Sequence, residues 1–127
     1  MDGMPRKARA PTALRSSCPI AGCLDLIGDK WTLLVVRDLF LGKTRYGEFA
    51  ESAEGIPTNI LADRIARLEA AGLVLRSPYQ DNPPRYAYSL TAKGKELKPV
   101  LAAIGQWGQR HVAGTRIAAD ALAALQS

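Results

Sequence analysis

The run IPTNILADRIARLEAAGLV, residues 56–74, decides the fold. Leu61, Ile65 and Leu68 recur at i, i+4 and i+7, which predicts a helix with one inward stripe. Pro57 suits its first position, and Gly72 is placed to cap its end. Upstream, Tyr46, Phe49 and Ala50 share one face of a short helix over 46–52, and Glu54-Gly55-Ile56-Pro57 makes the turn between the two. Downstream, Leu73–Arg76 and Arg85–Leu90 read as two strands of a hairpin, with the turn-rich segment 77–84 as its tip.

Working outward, Ile20, Leu24 and Ile27 set helical spacing over Pro19–Ile27, and Gly28-Asp29 breaks it. Trp31–Leu41 is a second helix, apolar on nearly every side, as suits the centre of a core. Thr91 can cap a last long helix reaching about Val112, in which Pro99 forces either a bend or a late start. Residues 1–17, rich in Arg, Ala, Pro and Ser, lack apolar periodicity and read as a mobile arm. Residues 114–127 form an Ala-rich tail that can extend a helix, and 18–113 are the folded domain. A short helix, a tight turn, a longer helix and a hairpin is the layout of a winged helix-turn-helix. The expected class is therefore mainly α with a small β-hairpin.

The composition is ordinary for a globular domain, with 47% hydrophobic and 23% charged residues in 127. The longest uncharged stretch, between Lys98 and Arg110, is well short of the roughly 20 residues that span a bilayer. A basic start with no apolar run after it does not make a secretory signal. The expectation is a cytoplasmic protein without a membrane partner. The net charge of +5 suits anionic partners, but much of the excess sits in the first 17 residues, and 43–76 is neutral.

On the middle of the chain, Thr58, Asn59, Ala62 and Asp63 lie opposite the Leu61/Ile65/Leu68 stripe. Such a helix fits the major groove, where Asn pairs bidentately with adenine and Thr reaches a base or a phosphate. Arg64 and Arg67 follow, placed either for the phosphates or for pairing with Asp63 and Glu69. Lys43 and Arg45 precede the short helix, where the motif's first helix crosses the DNA backbone. Arg85 follows Pro83-Pro84, whose fixed φ stiffens the wing. Ile20, Leu24 and Ile27 form one further stripe, and Leu97, Leu101, Ile104 and Trp107 another. A chain this small has little room to bury both, so together they read as a dimer seam. A two-fold dimer would present two recognition helices about 34–36 Å apart, or at a longer spacing.

Three segments resemble the HxlR family of bacterial and archaeal transcription regulators. They are CPIAGCLDLIGDKWTLLVVRDLFLGKTRYGEF, IPTNILADRIARLEAAGLV and PPRYAYSLTAKG, in the family's order over about residues 18–108. The resemblance implies a dimeric winged helix whose first and last helices form the interface, binding double-stranded operator DNA as a repressor or activator; repression is the expectation here. It also implies an arginine at the wing, which places Arg85 above Arg64 as a DNA contact. In some relatives a cysteine matching Cys18 senses oxidants or electrophiles. Cys18 stands at a helix start, where the positive end of the dipole favours thiolate, although a small buried role is the commoner fate. Cys23 takes a place where relatives usually have a small residue and reads as packing. Gly22 departs from the family's helix former and weakens the first helix.

No Cys–His pair, carboxylate dyad, P-loop or GxGxxG is present, so an enzyme is not expected. One histidine, His111, and two cysteines do not readily complete a zinc site, and no cofactor is expected. The competing reading is a winged-helix protein-interaction module without sequence-specific DNA readout, which the neutral 43–76 region and Asp63 keep open. No residue marks the site of a small-molecule effector.

Overall fold

In the computed structural model, residues 14–126 are described. The elements run α1 (Pro19–Ile27), α2 (Thr32–Phe40), α3 (Tyr46–Ala50), α4 (Thr58–Ala70), β1 (Val74–Asp81), β2 (Pro84–Leu90), α5 (Ala92–Lys95), α6 (Lys98–His111) and α7 (Ala119–Gln126). The arm expected over 1–17 lies outside the described residues except for 14–17. There Arg15 turns back on α1, 2.6 Å from Asp25.

The start of α2 and the end of α4 have clear local causes. Asp29 opens α2 by accepting the amides of Trp31 at 2.8 Å and Thr32 at 3.0 Å, and the Thr32 hydroxyl as well. α4 ends in a Schellman motif: Leu73 N–H donates to Leu68 O and Gly72 N–H to Glu69 O. Gly72, at φ 77°, supplies the left-handed residue that motif requires. Pro57 is the N-cap of α4 and not its first helical residue, as the sequence suggested.

The core forms where α2, α3, α4 and the hairpin meet. Leu61, Ile65 and Leu68 are at most 2% exposed, as are Val36 and Phe49. Val35, Leu73, Val74 and Tyr88 close the cluster from α2 and the hairpin. Tyr88 N–H also donates to Thr44 O at 2.8 Å, tying β2 to the loop before α3.

Two expectations are corrected. The hairpin is longer than Leu73–Arg76 paired with Arg85–Leu90, because the antiparallel register continues from Val74↔Leu90 to Asp81↔Pro84. In a two-stranded ribbon both strands are edges, so Pro78 and Pro84 need forfeit no central ladder bond, and a register shift between Pro78 and Gln80 accommodates the irregularity. The single helix expected from Thr91 is two: Thr91 caps α5 through Gly94 N–H, and α6 begins anew with Pro99 in its first turn. α7 forms within the Ala-rich segment, and Leu125 packs against the core. Among the described residues no helix is long and apolar enough to cross a membrane.

Gly94 marks a close approach of α5 to the end of α4. A Cβ there would stand 2.2 Å from the Leu73 carbonyl oxygen, which already accepts Thr91 N–H. Gly94→Ala therefore lowers the urea midpoint despite alanine's better helix propensity. Leu68→Ala, which empties a site in the core, costs about 2–5 kcal/mol in the same measurement.

Candidate nucleic-acid interface

α3 is set by a capping box: the Glu48 carboxylate accepts Thr44 N–H at 2.8 Å and Arg45 N–H at 3.0 Å. Those two amides hold its carboxyl below the usual range. Arg45, at the N-cap, lays its guanidinium 3.9 Å from the Tyr79 ring centroid, so the start of α3 meets the wing. Tyr46 stacks on Tyr88 with centroids 5.5 Å apart. Burial, with the Tyr46 neighbour second, pushes the Tyr88 phenol up. Between these elements lies a hollow of about 250 Å³ whose lining includes both Arg45 and Arg85. Arg85 is exposed, opposite Gln80.

On α4, Thr58, Asn59 and Ala62 are exposed, while Asp63, Arg64 and Arg67 are half-buried. The helix start has no side-chain cap and no acidic residue in its first turn, which suits it to an anion. Two cations assigned to DNA are engaged within the chain. Arg64 places Nε 3.0 Å from Asp29 and also bonds Asp63, so of the two alternatives it takes the internal pairing. Lys43 donates to Ser52 Oγ at 2.8 Å and lies 3.9 Å from Asp38. Arg67 does not pair with Glu69; that carboxylate is 3.6 Å from Arg76, whose guanidinium also covers Tyr86 at 4.4 Å.

Burial raises the Asp29 carboxyl, but Thr32, the Trp31 amide and Arg64 outweigh it and hold the group well below the ordinary carboxylate range. Asp29 before an apolar run is an N-cap signature, so its first role was readable. Its bond to Arg64, 35 residues away, was not. Asp38 is 3% exposed, and sequence reasoning did not single it out. It accepts Arg37, Ser52 and, more distantly, Lys43. Arg37 forks onto Glu54 at 2.8 and 2.9 Å and lowers that carboxyl to about 2.

Of the seam residues, Ile27 and Leu101 are buried in the chain's own core and Leu97 packs against it. Ile20, Leu24, Ile104 and Trp107 stay 70%, 55%, 51% and 60% exposed. Cys18 is the exposed N-cap of α1. Cys23, expected to pack, is exposed as well. Among the described residues no group of three or more His, Cys, Asp or Glu is arranged to hold a metal.

Two outcomes follow from the Asp29 site. Arg64→Ala lowers folding stability by about 1 kcal/mol or less in urea, whereas Arg85→Ala changes it by no more than about 0.5 kcal/mol. Because the folded carboxyl titrates below its unfolded value of 3.8, its contribution is complete above that pH and drains away as pH falls. Stability of Asp29→Ala is accordingly flatter than wild type between about pH 5 and 2 in pH-dependent denaturation.

A family profile described as HxlR-like helix-turn-helix matches residues 26–115. The uncharacterised HTH-type transcriptional regulator sll1512 of Synechocystis sp. is 43% identical over 91 residues, 72% of this chain and 67% of the relative. Rv3095 of Mycobacterium tuberculosis, also an uncharacterised HTH-type regulator, is 37% identical over 93 residues, 73% of this chain and 58% of the relative, so less than two thirds of its length is spanned. Among solved structures, the redox regulator HypR in its oxidised form is 34% identical with a TM-score of 0.67, covering 80% of this chain and 100% of that one. The reduced transcriptional regulator YodB from B. subtilis is 27% identical with a TM-score of 0.63, over 80% and 100%. This chain, with its winged helix-turn-helix, belongs to the HxlR-like family, which is one of transcriptional regulators and not of enzymes.

Proposed function

We propose that this regulator binds operator DNA as a homodimer in the cytoplasm and represses transcription, with Cys18 as a thiol switch. The observation that carries DNA readout is the two-sided character of α4. Leu61, Ile65 and Leu68 are buried on one side, while Thr58, Asn59 and Ala62 are exposed at the uncapped N-terminal end. In this reading Asn59 and Thr58 meet base edges, with Ala62 against a thymine methyl and Asp63 beside them. Arg45 and Arg85 take phosphates or the minor groove, and Arg67 and Lys43 add weaker phosphate contacts. Arg64 supports the helix through Asp29. A dimer seated over a promoter excludes polymerase sterically, hence repression.

The dimer seam is proposed from the exposed apolar set Ile20, Leu24, Ile104 and Trp107, since large exposed apolar patches mark interaction surfaces. Support for the switch comes from the exposure of Cys18 at the start of α1, two residues before Ile20, and from the redox regulator HypR among the similar structures. Oxidation there would act on the seam and through it on the spacing of the two α4 helices.

Fluorescence anisotropy against the duplex upstream of its own gene, with a scrambled control and a salt series, tests the central claim. The expected result is tight sequence-dependent binding with a steep salt slope, weakened by Asn59→Ala and Arg85→Ala. Equal affinity for both duplexes, unaffected by either substitution, would favour a protein-interaction role. Trp107→Ala should shift sedimentation from dimer toward monomer and weaken operator binding with it. Cys18→Ser should bind as wild type under reductant and lose the response to a mild oxidant, while Cys23→Ser keeps that response.

A further inference from the structure

Outside the α3–α4–wing surface, the described residues form an open-mouthed cavity of about 520 Å³ between α2, α6 and α7. That volume is within the roughly 300–1,000 Å³ of small-ligand sites. Its walls are largely apolar: Leu33 and Leu34 from α2, Leu101 and Ile104 from α6, and Ile117 and Leu125 from the C-terminal segment. The cover is held in place by specific bonds. Thr115 Oγ1 donates to Gly108 O at 2.9 Å and Ile117 N–H to Gln109 Oε1 at 2.8 Å, which folds the chain back on α6. Gly105 allows that return, since a Cβ there would come within 3.2 Å of Ile117 Cδ1. α7 itself lies beyond residues 26–115, the part that the family profile matches.

The charges around the cavity are unequal in their commitments. Arg37 is engaged by Asp38 and Glu54, and Lys43 by Ser52 and Asp38. Asp120 accepts the Ala121 amide at the first turn of α7. Arg116 is exposed and lines the cavity, and no hydrogen bond or ion pair engages its side chain among the described residues. We propose that this cavity binds a small amphipathic carboxylate, its apolar body between α2, α6 and α7 and its anionic end on Arg116. A ligand so placed touches the segment that carries Ile104 and the charged cluster joining α2 to the end of α3. It therefore reports to both the seam and the helix-turn-helix, and this coupling rests on the regulator reading given above. Binding alone does not.

The test uses the full chain without DNA, with anilinonaphthalene sulfonate as the fluorescent probe and decanoate and decanol as competitors. Saturable binding of one probe per chain, displaced by decanoate, is expected. Ala121→Trp fills the cavity and should abolish it. Arg116→Ala, a surface change that leaves folding intact, should weaken decanoate about tenfold, the loss expected for one charge-assisted hydrogen bond, and leave decanol unchanged. Non-saturable binding, or wild-type decanoate affinity in Arg116→Ala, would overturn the proposal. So would undiminished probe binding in a folded Ala121→Trp. Operator binding measured separately keeps failure of this site distinct from failure of the DNA-binding reading.

Discussion

Burial of one face of α4 is the constraint on which the rest of the molecule depends. Leu61, Ile65 and Leu68 meet Val36 and Phe49 in the most enclosed part of the core. Each buried side chain of this size contributes about 1.5–3 kcal/mol, so rotating the helix would be prohibitive. That fixed rotation is what leaves Asn59 and Ala62 facing outward. The Asp29–Arg64 bond adds a polar restraint at the same helix and joins it to the turn between α1 and α2.

The polar groups share one logic: most side-chain charges near the core hold elements together. Asp38, buried on α2, takes Arg37 and Ser52, and Arg37 reaches Glu54 in the turn before α4. A carboxylate so enclosed is tolerable only when its oxygens are satisfied, which these partners achieve. The wing is joined by different means. Its aromatic residues stack on α3 and under arginines, and Tyr88 N–H bonds the loop before α3. The wing is thus held against α3 through Tyr88 and, nearer its tip, through Tyr79, while Arg85 stays exposed.

The same division explains which site residues were legible. Asn59 and Ala62 follow from helical periodicity, because the buried stripe leaves the rest of the helix outward, while Thr58, i−7 from Ile65, is exposed because it begins the helix. Arg85 follows from the rigid Pro83-Pro84 pair and the family pattern. Arg64 and Lys43 read equally well as surface cations, since sequence separation hides Asp29 from Arg64 and Ser52 from Lys43. The two apolar stripes were legible as stripes. Which members are buried within one chain depends on how α1 and α6 pack: Ile27 and Leu101 turn inward, and Ile20, Leu24, Ile104 and Trp107 do not.

Local chemistry in the sequence determined the element order, the glycine stop at Gly72, the inward face of α4 and the membership of the family, because periodicity and backbone preference act over a few residues. Tertiary structure decided the bond of Arg64 to Asp29, which members of the two apolar stripes are buried, and the groove under α7. These depend on groups far apart in the chain arriving within a few ångströms, and no local pattern encodes that distance.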